Sequence, residues 1–138
     1  MGKVEFVLAV GLYTSSILGI QLLLMDRWLW NASPTHAIGL ALFVTVDVML
    51  LAGMRRQTQL ASPGALLVSL IQLGAMIADL GNGQPADVSS DSFRAYLLAN
   101  TGFVSLMVVQ AAILIVASMA VTSSLVSDHN LVSPIRGQ

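Results

Sequence analysis

One carboxylic acid stands inside an otherwise apolar run, Asp47 in LFVTVDVMLL at positions 42–51. An acid set in hydrocarbon has three kinds of work open to it. It can keep its proton and hydrogen-bond a neighbouring helix, it can pass a proton or coordinate an ion, or it can bond across an interface to another subunit. Three amides, Gln21, Gln72 and Gln110, lie in comparably apolar stretches. Each apolar run therefore holds a strong hydrogen-bonding group, and Asp47, Gln72, Gln110 and Gln21 are expected to form one intramembrane polar network. No Lys or Arg lies at the depth of Asp47, so the plainest reading is a protonated acid bonded to Gln72 or Gln110. An acid at the centre of a spanning helix costs about 2.5–3.5 kcal/mol on insertion scales, which favours turning it toward other helices.

A second group falls near the ends of the runs. His36, Asp79, Arg94 and Asn100 are expected on one membrane face, close to Trp28 and Trp30. Their mixed donors and acceptors could hold a quinone head group, a lipid head, or an ion with help from another chain. The simpler alternative is interfacial solvation plus an Asp79–Arg94 ion pair. No intrinsic cofactor is expected. With no cysteine in the chain, iron–sulfur clusters, thiolate zinc sites and disulfides drop out. The histidines are His36 and His129, and His129 sits in the C-terminal tail, so bis-histidine haem and a metal held by this chain alone are not expected. Neither a G-x-S-x-G nucleophile motif nor a phosphate-binding glycine loop occurs. A net charge of −1 offers no basic patch for nucleic acid.

The elements that must position these groups follow from composition. Of 138 residues, 56% are hydrophobic and 9% charged, with a mean hydropathy of +0.82. A soluble domain carries roughly 25% charged residues, so this chain cannot build a water-facing surface. Four runs approach the ~20 apolar residues that a span requires: 4–25, 34–54, 63–80 and 93–121. The expected fold is an all-α integral membrane protein, four transmembrane helices in an up-down bundle, with residues 122–138 as a polar tail acting as a tether or contact strand. Ser33-Pro34 and Ser62-Pro63 mark two helix starts, and Ser90 or Asp91 a third. LGNGQP marks a stop, with Gly81 and Gly83 free to turn left-handed. The apolar core of the N-terminal run is too long for a signal peptide, so it is read as an uncleaved first helix.

Helical spacing assigns one inward stripe to each span. These are Thr14, Ile17 and Gln21; His36, Phe43 and Asp47; Ser69, Gln72, Met76 and Asp79; and Asn100, Phe103, Met107, Gln110, Leu114 and Ala117. Gly11 and Gly19 are expected to let helices approach closely. Lys3, Arg55, Arg56 and Arg136 fall on one side if both termini are cytoplasmic, against Arg27 and Arg94 on the other, which selects N-in/C-in.

These features lead to a small accessory subunit of a larger membrane complex, in a respiratory or other electron-transfer assembly of a prokaryotic cell membrane, not catalytic on its own. Its partners would be other integral membrane subunits and lipids, with no nucleic acid. Two alternatives stay open: an oligomeric proton- or ion-coupled transporter using Asp47, and a quinone-interacting redox subunit using the polar cluster.

Overall fold

Peptide groups in hydrocarbon must hydrogen-bond among themselves, and in such an apolar chain a helix does this within one segment. A computed structural model of the protein describes residues 2–132, with residues 125 and 127–132 described by their backbone alone. Every element among them is an α-helix: α1 (Lys3–Met25), α2 (Arg27–Ala32), α3 (Pro34–Arg55), α4 (Ala61–Asn82), α5 (Ser90–Ala99) and α6 (Thr101–Val132). Helices α1, α3, α4 and the Thr101–Ser124 stretch of α6 are long and apolar enough to cross a membrane. They pack in a ring: α1 lies against α3 and α6, and α4 against the same two. The short helices α2 and α5 cover one end, α2 resting on α3 and α5 on α4 and α6. We call this the mouth end.

The expected single span 93–121 is two helices. Asn100 takes an extended backbone, and its side-chain oxygen accepts from the Gly102 and Phe103 N–H groups at 3.1 and 3.2 Å. The residue that ends α5 thus caps α6. Helix α6 continues to Val132, through much of the stretch expected as a polar tail; Arg136 lies outside the described residues. Other starts shift slightly. Ser89 caps α5 in place of Ser90 or Asp91, accepting from the Ser92 N–H at 3.3 Å. Helix α4 begins at Ala61, so Pro63 sits inside its first turn, where its missing N–H is no loss.

No glycine among the described residues has positive φ, so Gly81 and Gly83 do not turn left-handed. The left-handed position is Gln57, at φ 55, just past α3. There the N–H groups of Gln57 and Thr58 bond back to the carbonyls of Met54 and Gly53, closing the helix in a Schellman arrangement.

Between lipid-facing helices apolarity does not mark the buried face, because lipid tails are as apolar as leucine; small residues mark it instead. Helix α1 shows this. Its buried residues are Leu8, Leu12, Ser15, Ser16, Gly19 and Leu22, while Ile17 and Gln21 are exposed. The stripe expected through Thr14, Ile17 and Gln21 is therefore one step out of phase. Gly11 and Gly19 do permit close approach: a Cβ on Gly11 would lie 2.8 Å from Ile113 Cγ1, and one on Gly19 would collide with Val44. In α6 the buried positions are Phe103, Leu106, Gln110, Ile113 and Ala117, with Leu106 and Ile113 more deeply set than Met107 and Leu114. In α4, Ser69, Gln72 and Met76 are buried as the spacing predicts.

The buried apolar side chains form two separate clusters. One gathers Leu8, Leu12, Met54, Ala61, Ala65, Ile113 and Ala117, away from the mouth. The other gathers Leu22, Met76, Phe93, Leu97, Phe103 and Leu106, at the mouth end. Between them lies a layer holding most of the buried polar side chains: Ser15, Ser16, Asp47, Ser69, Gln72 and Gln110.

Candidate functional site: a polar-mouthed cavity over a buried acid

The mouth is organised by Asp26, the residue between α1 and α2. Its Oδ1 accepts from the Leu29 N–H at 3.1 Å, the N-cap bond that starts α2. That bond holds the carboxylate in place, and Oδ2 then accepts from the Tyr96 hydroxyl and, at 2.7 Å, from Asn100 Nδ2. Asn100 is held in turn by its capping bonds to α6. Burial, and with it the Asp26 carboxylate accepting its hydroxyl, raises the Tyr96 phenol above its ordinary range, so it stays a donor. Trp28 lies against Tyr96 with ring centroids 4.0 Å apart and stacks on Phe93 at 5.9 Å.

Across the mouth, His36 stands in the first turn of α3. Its Nε2 lies 3.1 Å from Asp79 Oδ1 near the end of α4, and its Nδ1 meets the Ser33 hydroxyl. With Nε2 donating to Asp79, Nδ1 accepts from Ser33. The ring edge packs on Phe93, centroids 5.5 Å apart.

These two polar groups open onto a cavity of about 320 Å³. Its walls are Phe43, Met76, Phe93, Phe103 and Leu106; Asp26, His36, Asp79, Tyr96 and Asn100 line the mouth, and Gln72 is the polar group at depth. An apolar pocket with a few convergent polar groups is what a small amphiphile's head group requires.

One helical turn beyond Phe43 and Leu106 lies the buried acid. The Ser15 hydroxyl donates to Asp47 Oδ2 at 2.5 Å, and Gln110 Nε2 donates to Ser15 Oγ at 2.6 Å and to the same Asp47 oxygen at 3.4 Å. Asp47, Ser15 and Gln110 are each 1% exposed, and Gln72 is 2% exposed. Three oxygens in this layer have no hydrogen-bond partner: Asp47 Oδ1, Gln72 Oε1 and Gln110 Oε1. All three are acceptors unless Asp47 is protonated, so the layer as built lacks donors.

Of the groups singled out from sequence, Asp47 and Gln110 meet through Ser15, Gln72 sits nearer the mouth in the cavity lining, and His36, Asp79 and Asn100 share the mouth. Gln21 does not join the polar layer: it is exposed, one turn from the end of α1. Arg94 does not pair with Asp79; it is exposed and its Nε donates to the Leu80 carbonyl at 2.8 Å, capping the end of α4. The His129 side chain lies outside the described residues. Sequence reasoning missed Ser15, Asp26 and Tyr96. Ser15 had a signal in its position midway between Gly11 and Gly19, and Asp26 in preceding RWLW as a helix cap. Tyr96 had none, because its role depends on α5 folding back over α2. No group of three or more His, Asp or Glu side chains suited to a metal ion occurs among the described residues. The chain matches no protein-family model, no characterised protein and no solved structure to which it was compared.

Proposed function

We propose that this protein is a small accessory subunit of a larger membrane complex and that it holds the head group of a membrane-soluble amphiphile, of the quinone class, in its cavity. In this reading the four long helices cross the bilayer up and down, with both termini on the cytoplasmic face and the mouth on the opposite face. The observation that carries the proposal is the cavity itself. It is ringed by aromatic and aliphatic side chains, and hydrogen-bonding pairs from two sides converge at its mouth. A quinone ring has carbonyls on opposite edges and needs a donor at each; the second Nδ2–H of Asn100 would serve one, and the His36 Nε2–H, turned from Asp79, the other. A quinone would also place the complex in electron transfer, with the redox partner on a neighbouring subunit.

Trp28 packs against two cavity-lining rings, Phe93 and Tyr96, and serves as a reporter. Titration of the purified chain in nanodiscs with a short-chain quinone is expected to quench Trp28 saturably, with Trp28→Phe removing the signal. His36→Ala is expected to weaken binding at least ten-fold. Quenching that fails to saturate, or that His36→Ala leaves unchanged, overturns the quinone reading. Mild detergent extraction is expected to bring the chain out with larger membrane partners in fixed ratio; recovery as a lone, stable homo-oligomer overturns the accessory reading.

A further inference from the structure

The Asp47 layer is built differently on its two sides. Away from the mouth, the buried residues that follow it on all four long helices are apolar: Leu8 and Leu12 on α1, Met54 on α3, Ala61 and Ala65 on α4, Ile113 and Ala117 on α6. Toward the mouth the succession is polar. Gln72 lines the cavity at depth, and Asp79 with His36 closes the same face of α3 and α4 at the mouth. Because His36 and Asp79 touch, depth can be counted from them. Gln72 lies about 10 Å down α4 and Asp47 about 16 Å down α3, at 1.5 Å per residue. Roughly 6 Å of depth along the bundle separates the two positions by the same count, so Asp47 lies about one helical turn beyond the deepest polar group of the cavity. Gln72 Oε1 and Asp47 Oδ1 are both buried and both lack partners.

We propose that Asp47 is an exchangeable proton site served from the cavity alone. Its Oδ2 is engaged by Ser15 and Gln110, so the proton resides on Oδ1. It leaves to a base or water on the cavity side, past Gln72, and returns by the same route, leaving a carboxylate still held by the Ser15 and Gln110 donors. Among the described residues, the sealed side offers no buried polar side chain to relay it. No other titratable side chain among the described residues faces this layer. Helix α1 presents Ser15, while Tyr13, two residues before it, is 56% exposed on the outside of the bundle; α4 presents Ser69 and Gln72, and α6 presents Gln110. The ionisable groups that face the cavity are His36, Asp79, Asp26 and Tyr96, all at the mouth. Glu5, Lys3, Arg55 and Arg56 lie at the far ends of their helices. This inference does not depend on which amphiphile the cavity takes.

Infrared spectroscopy of the chain in nanodiscs tests it. A protonated carboxyl gives its own carbonyl band, which shifts on transfer to D₂O when the proton exchanges. Subtraction of Asp47→Asn, which keeps an acceptor for Ser15 and Gln110, is expected to isolate one such band. Gly39 lines the cavity, and a Cβ there meets nothing within 4 Å, so Gly39→Leu fills the space without a clash at its first atom. Ala75→Leu fills the same space from α4. Both are expected to slow deuteration of the Asp47 band at least ten-fold, while Leu12→Ala on the sealed side leaves its rate unchanged. The absence of any band sensitive to Asp47→Asn overturns the proposal. So does exchange that neither filling variant slows, or that Leu12→Ala accelerates. Gated exchange together with unsaturable quinone quenching would keep the proton site and remove the quinone reading alone.

Discussion

The two ends of the bundle are made from different residues and reach opposite results. At the sealed end, alanines at 61, 65 and 117 and glycines at 11 and 64 let Leu8, Leu12, Leu50 and Ile113 close the space between helices. At the mouth end the residues are larger, with Phe43, Phe93, Phe103 and Met76 facing inward, yet a cavity remains. Bulky rings held apart by helix caps and polar pairs do not interdigitate as leucine does against alanine. Asp26, Asn100 and His36 fix α2, α5 and the start of α3 in place, so the rings around the cavity cannot collapse inward. Close packing here depends less on how large the side chains are than on whether small residues lie opposite them.

Paired substitutions break or sharpen this contrast. In a bilayer or detergent the water-to-apolar transfer term is nearly absent, so truncation reports lost packing. Leu12→Ala at the sealed end is expected to destabilise by about 2 kcal/mol. Leu22→Ala, which merely enlarges an existing cavity, should cost about half as much. Thermal unfolding in detergent followed by circular dichroism compares them, and equal losses would mean that the two ends pack alike.

Adding atoms reverses the ranking. Gly11→Ala must push Ile113 aside and is expected to cost about 1.5 kcal/mol. Gly39→Ala meets open space, and its better helix propensity should leave stability unchanged or raised by up to about 1 kcal/mol. A loss at Gly39 matching that at Gly11 would show the mouth end to be filled.

Smaller effects probe the polar groups. Tyr96→Phe removes a donor to the Asp26 carboxylate, and the same unfolding assay is expected to show a loss of about 1 kcal/mol. Ser15→Ala takes the bridging hydroxyl from the buried layer and should cost roughly 0.6 kcal/mol, the usual worth of an interhelical bond in a membrane. Asp47→Asn should cost less still, because an amide oxygen accepts the same two bonds; a loss above that of Ser15→Ala would mean the acid's charge, and not its hydrogen-bonding shape, holds the layer.

How much was legible varied by helix. In α4 the polar residues Ser69, Gln72 and Asp79 recur at helical spacing, and that stripe could be placed from sequence. In α3, Asp47 is the one strong group, and the cost of an acid in hydrocarbon was enough to turn it inward. In α1 apolarity runs all round, so placing the stripe through Gln21 used the wrong signal; Gly11, Ser15 and Gly19 held the right one. The mouth cluster was half legible. His36, Asp79 and Asn100 were found as polar groups near the ends of apolar runs, but Asp26 looked like an ordinary loop charge, and the pairing given to Arg94 fell to His36.

From its sequence alone this chain is committed to four long helices in an apolar medium, because apolar runs of about 20 residues satisfy their peptide groups in hydrocarbon as helices. It is also committed to an inward-facing Asp47, since hydrocarbon penalises an outward one. Only tertiary packing decided that Ser15 bridges Asp47 and Gln110, that α5 breaks from α6 at Asn100 to lay Tyr96 on Asp26, and that a cavity opens at one end while the other closes. Those outcomes depend on the rotation of each helix about its own axis. In lipid that rotation is set by small residues meeting across an interface, information that no single helix contains.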